Sequence, residues 1–157
     1  MNKLLPVWLL AVAVTIAGCM SMSESSSGPT QKPGTVGDVC GGKWELSLLR
    51  INGQAIAIDQ PSEFTFLCNS GGEAMGKSGI NTYRGSMHVT DNGQILWDTG
   101  SFASTKMAGP PQLMDQESQY LGALSRTRQA FVKSSGGRLI LRDPSGDVYI
   151  EYVKADY

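Results

Sequence analysis

Residues 71–78 read GGEAMGKS, which satisfies the GxxxxGK[ST] pattern of a phosphate-binding loop, with Lys77 and Ser78 where phosphate and Mg²⁺ would be met. An apolar run ending in Asp98 (ILWD) could pose as the acidic strand that accompanies such a loop. The phosphate cradle, however, needs a helix whose N-terminus points at the anion. Gly79, Asn81, Thr82, Tyr83 and Gly85 lead into a strand instead, so residues 69–79 read as a Gly-rich hairpin loop. His88 is the sole histidine, and alternation in MHVT places it on the solvent face, away from the clustered N, S and O ligands a metal requires. Asp143, Asp147 and Glu151 flank a Pro-Ser-Gly turn, and turn formation accounts for them without a glycosidase-like pair of acids. Met75, Met107 and Met114 read as core filler rather than soft-metal ligands. Nothing resembles a positioned nucleophile and base. The expectation is no enzyme activity, no cofactor and no metal.

The cysteines carry the stronger signal. Residues 1–3 supply one positive charge and residues 4–16 are mostly apolar, interrupted by Pro6 and Thr15, which is the layout of a signal peptide over residues 1–18. The run falls short of the roughly 20 apolar residues that span a bilayer. It ends in Ile16-Ala17-Gly18-Cys19, which resembles the lipobox of bacterial lipoproteins, a resemblance that implies lipidation of Cys19 and a new N-terminus there. The alternative is a conventional signal peptide cut after a small residue. Several acyl chains would exceed the two signals needed for stable anchoring, each buried methylene adding about 0.8 kcal/mol. Met20 rather than Asp follows the cysteine, which in enteric-type sorting points to the outer membrane, facing the periplasm.

Residues 20–39 are rich in Ser, Gly and Pro and predict a disordered tether with a reach of about 25 Å. The globular domain is expected over residues 40–157. With Cys19 given to lipid, Cys40 and Cys68 remain in an oxidising compartment, which suggests one disulfide; two buried free thiols are the alternative. Thirteen basic side chains against fourteen acidic ones leave a formal charge of −1 with no basic stripe, which argues against nucleic acid as a partner.

Strand patterns cover residues 43–51, 54–58, 63–68, 82–90 and 94–98, with Asn52-Gly53 as a type I′ hairpin signal. Pro110-Pro111 then breaks the chain, and Met114, Glu117, Tyr120, Leu121 and Leu124 recur at helical spacing. Residues 129–133, 138–142 and 148–153 predict three closing strands. Antiparallel hairpins with one buried face need a cover, so the predicted fold is α+β: a small antiparallel, barrel-like sheet with one packed amphipathic helix.

Trp44-x-Leu46 before the Asn-Gly turn, GKSGINTYRG (76–85), ASTKMAG (103–109), MDQESQYLGAL (114–124) and a closing pair of hairpin strands follow the order of the META-domain family, which includes the HslJ-like heat-shock proteins, and the chain resembles that family from about residue 43 to 153. The family usually has cysteines where this chain has Ile80 and Gly109, which fits the exchange of one bridge for another. The resemblance implies an antiparallel β-domain with a packed helix, a periplasmic location, no established catalytic reaction, and a part in envelope tolerance of heat and novobiocin. Asn81, Tyr83, Thr105 and Met107 lie in its two signature elements and are the candidate binding face. The alternative there is that Asn81 takes a left-handed turn and Thr105 ties down a buried backbone group. The expected partners are the membrane, through the N-terminal lipid, and an envelope protein or component. An inhibitor of a periplasmic lysozyme or protease is the competing reading.

Overall fold

The computed structural model describes residues 30–133 and 135–156. The expected signal peptide (1–18), the lipidation of Cys19 and the first part of the tether lie outside these residues.

Alternation of apolar and polar residues decides most of the sheet. Strand β2 (Trp44–Ile51) buries Trp44 and Leu46 and then Leu49. The switch from even to odd positions coincides with a register shift against the last strand, where Leu46 faces Tyr152 but Leu48 faces Glu151, so Ser47 is the extra residue of a β-bulge. Asn52 and Gly53 both take positive φ, as a type I′ turn demands, and return the chain as β3 (Gln54–Ile56). A 3₁₀ turn, Pro61–Glu63, leads to β4 (Thr65–Cys68). Then come β5 (Glu73–Lys77), β6 (Thr82–Val89), β7 (Ile95–Trp97) and the two-residue β8 (Ala103–Ser104). The long helix Pro111–Arg126 is followed by β9 (Gln129–Lys133), β10 (Arg138–Arg142) and β11 (Val148–Lys154).

Among the described residues all pairings are antiparallel, along a path that opens with β1 (Gln31–Pro33) and runs β1-β9-β10-β11-β2-β4-β5-β6-β7, with β3 beside β2 and β8 beside β6. The sheet is not closed, so the barrel-like part of the expectation is not confirmed: Gln94, just before β7 at one end of the path, reaches β9, second from the other end, through a single bridge to Gln129. Two further differences have local causes. Residues 31–39, expected within the disordered tether, form β1 and a one-turn helix α1 (Val36–Val39), because Thr35 and Asp38 make a capping box and Val39 is a fully buried anchor. Lys32 lies 3.0 Å from Asp38, and that pair, with the Thr35 N–H, holds the Asp38 carboxyl below its ordinary pKa. The Gly-rich stretch 69–79, expected as loop, contains β5, whose buried Ala74 supplies the alternation that the glycines mask.

The long helix, α2, starts with Pro111 in its first turn and buries Gln116, Glu117, Tyr120, Ala123 and Leu124 against the sheet. Its central contact is a relay of buried phenols. The Tyr83 and Tyr120 hydroxyls both donate to the Thr65 carbonyl, at 2.8 and 3.2 Å, and Tyr152 lies 3.0 Å from the Tyr120 oxygen. Gly76 makes this convergence possible, since a Cβ there would sit 2.0 Å from the Thr65 oxygen and 2.9 Å from the Tyr83 ring.

Burial disfavours the phenolate at all three. Tyr120 is pushed up to about 12, while burial, with the negative charge that Tyr120 would carry when ionised, drives Tyr83 and Tyr152 well above their ordinary value. A folded-state pKa raised above the unfolded value of 10.0 stabilises the fold fully below that pH and ceases to do so as pH climbs through about 12. In an ultraviolet difference titration these tyrosines are therefore expected to ionise together with unfolding, in one cooperative step. A gradual titration near pH 10 with the fold intact would contradict the relay.

Candidate functional site

The first signature element ends β5 and starts β6, and the second begins with β8; the structure brings them together through Asn81. Its side chain is buried at 1% exposure and every polar atom on it is engaged. The amide nitrogen donates to Glu117 Oε2 (2.9 Å) and to the Met107 carbonyl (3.2 Å). The amide oxygen accepts from the Thr105 hydroxyl (2.7 Å) and the Met107 N–H (2.8 Å). Thr105 in turn accepts from the Thr82 N–H at 3.2 Å. Asn81 thus ties the 103–109 segment to α2. It does so without the left-handed turn considered for it; among the described non-glycine residues positive φ belongs to Asn52. The backbone group held by Thr105 is exposed rather than buried. Of the candidate binding face, Asn81 and Tyr83 are buried, whereas Thr105 and Met107 are exposed.

On the outer face of the sheet lies a groove of about 670 Å³. Strand register builds it in rows. Leu67 on β4 faces Met75 on β5, Met75 faces Arg84 on β6, and Arg84 faces Ala103 on β8. In the adjoining row Lys77 pairs with Thr82, and the Lys77 N–H donates to the Thr65 hydroxyl at 3.0 Å. Thr105 and Tyr83 line the margin, so these two of the four candidate residues reach the groove and Asn81 and Met107 do not. Lys43 completes the rim. Lys77 pairs with Glu63 at 3.0 Å and Lys43 with Glu45 at 3.5 Å, both at exposed or half-exposed positions. Arg84 makes no side-chain hydrogen bond or ion pair among the described residues. Leu67, Arg84 and Lys43 fall in the predicted strands but are not among the candidate site residues. Period-two alternation within β4, β5 and β6 puts them on the outer face, but their alignment across strands depends on a register that the loops determine.

The remaining candidates go elsewhere. The residues of the phosphate-loop pattern lie along β5, with Lys77 on Glu63 and Ser78 buried on the Asn81 carbonyl. His88 is exposed beside a polar hollow of about 250 Å³ with Glu73 and Asp98. The Asp143 carboxylate closes the turn, accepting from the Val148 N–H (2.9 Å) and the Ser145 hydroxyl (2.7 Å). Burial pushes its pKa up, but these donors prevail and leave it below the ordinary value. Glu151 is likewise lowered against burial, by Tyr149, Arg138 and Lys133. Met75 and Met107 are exposed rather than core filler. No group of three or more His, Cys, Asp or Glu among the described residues is arranged to hold a metal.

Cys40 and Cys68 are bridged, with Cα atoms 4.6 Å apart, joining the end of α1 to the end of β4. Ile80 and Gly109, where the family pattern has cysteines, are in contact: a Cβ on Gly109 would fall 1.7 Å from Ile80 Cδ1. Ile80 fills the space a second bridge would occupy. The double change Ile80→Cys, Gly109→Cys is accordingly expected to form that bridge on oxidative refolding, read as no gain in free thiols after denaturation. Two extra reactive thiols would show that the positions diverge.

A family model described as META domain matches residues 37–156. No curated protein matches the chain. Among solved structures, the fold is similar to an NMR structure of a protein from Burkholderia xenovorans, at 23% identity and a TM-score of 0.60, covering 98% of this chain and 100% of that one. It is also similar to the crystal structure of a DUF4847 family protein from Bacteroides vulgatus, at 14% identity and a TM-score of 0.57, covering 75% of this chain and 96% of that one. Likeness at these identities concerns the fold alone.

Proposed function

The chain belongs to the META-domain family, and from that premise we propose that it is a non-enzymatic binding protein of the bacterial envelope, anchored through lipid on Cys19 at the outer membrane and facing the periplasm. Its role is envelope stress tolerance, exercised by binding a protein or envelope component. The observation that carries this reading is the outer groove, where apolar Leu67 and Met75 lie beside a guanidinium that has no partner among the described residues. Such a surface offers contact area and charge. Two of its hydroxyls support binding rather than bond-making, since those of Thr65 and Thr105 hold backbone N–H groups and Asn81 instead of a base.

Cross-linking in intact envelopes, followed by recovery of the lipidated protein, tests the proposal. A reproducible partner, together with sensitivity of a deletion strain to heat, detergent or novobiocin, is the expected result. Recovery of a lysozyme or protease whose activity the protein suppresses would replace it with the inhibitor reading. Unchanged growth of the deletion strain under all three stresses would remove the stress role.

A further inference from the structure

We propose that the outer groove is a site for a single-chain anionic amphiphile, whose alkyl part lies on Leu67 and Met75 and whose phosphate or carboxylate headgroup meets Arg84 and Lys77. This deepens the binding reading above and rests on it. Charge complementarity comes first. Lys43, Lys77 and Arg84 are in the lining and no carboxylate is. Arg84 is the group best placed to take an anion, because a guanidinium binds phosphate or carboxylate through two parallel N–H donors. The ion pairs of Lys77 and Lys43 involve side chains 54% and 40% exposed, a setting in which such pairs contribute little and give way readily to a better acceptor.

The apolar part is set by register. Met75 is 38% exposed and flanked on one side by Leu67 and on the other by Arg84, so a chain lying across the strands passes from hydrocarbon to cation within one row. The volume, about 670 Å³, is that of a small-ligand site. An acidic peptide could satisfy the charges, but peptides that bind sheets commonly do so by adding a strand to a free edge. β5, beneath the groove, is paired on both sides by β4 and β6, and the free edge that borders it, β8, is two residues long and too short to seat an added strand. The ligand must therefore be held by side chains, which favours an amphiphile.

The test uses the full-length protein recovered from membranes and reconstituted in phosphatidylcholine vesicles, with a photoactivatable lauroyl lysophosphatidate as probe. Labelling is expected within residues 67–84, about tenfold weaker with the matching lysophosphatidylcholine and with either Arg84→Gln or Met75→Ser. Both substitutions lie on the outer face, and unchanged thermal melts verify that the fold is kept. Inorganic phosphate alone is expected not to compete. Labelling that is spread over the chain, or that survives both substitutions undiminished, overturns the proposal. So does displacement of the probe by an acidic peptide but not by unlabelled lysophosphatidate, which would assign the groove to peptides. If labelling fails in these ways while the unaltered protein still captures its envelope partner, the binding role stands and the ligand class fails alone.

Discussion

Replacing Asn81 by leucine lowers the unfolding free energy by about 4 kcal/mol, because it strands the buried Glu117 carboxylate without its donor and releases the 103–109 segment from α2. Guanidinium denaturation followed by circular dichroism measures this directly. Asn81→Asp sharpens the test. It keeps the shape but replaces the N–H donor with a second carboxylate facing Glu117, so at neutral pH it is expected to cost at least as much as the leucine. A ligand-binding role for Asn81 predicts neither effect. A loss below about 1 kcal/mol for Asn81→Leu would mean that water or a rearranged Thr105 takes over, and the pin would lose its importance.

Reducing the Cys40–Cys68 bridge, or replacing both cysteines by alanine, costs about 3.5 kcal/mol on the chain-entropy estimate for a sequence separation of 28. The denaturation midpoint is expected to fall on adding reductant to the native protein and not on adding it to the double alanine variant. Equal midpoints with and without reductant in the native chain would show that the bridge constrains little. The bridge and the Asn81 pin fasten different parts, α1 to β4 and the 103–109 segment to α2, so the two losses are expected to add within about 0.5 kcal/mol.

Elements with strong local signals were readable before any coordinates. The Asn52-Gly53 turn, the alternation of Phe64, Phe66 and Cys68, and the helical spacing of Tyr120 and Leu124 all lie where those patterns place them. Short elements escaped because they depend on distant partners. β1 is three residues without a buried side chain, formed only because β9 offers an edge, and β8 is two exposed residues held by β6. In β5 the glycines of residues 71–79 look like loop, yet Gly76 is there for the close approach of Thr65 and Tyr83. Openness of the sheet was hidden for the same reason, since closure turns on whether residues near Gln94 and Gln129 extend their one bridge into a ladder.

The candidate site was legible in part. The signature residues Asn81 and Thr105 were singled out and do meet, but as a buried pin. The groove was missed because its members are ordinary surface residues until register aligns them.

The placement of the bridge also has a mechanical consequence. A force drawing on the chain from residue 30 would peel β1 from β9 and then unwind the single turn of α1, each held by few bonds. At Cys40 the load meets a covalent link and passes sideways into β4, which lies midway along the sheet path with strands on both sides. Such a pull would be absorbed by two small elements that can re-form, while the central strands keep their alignment.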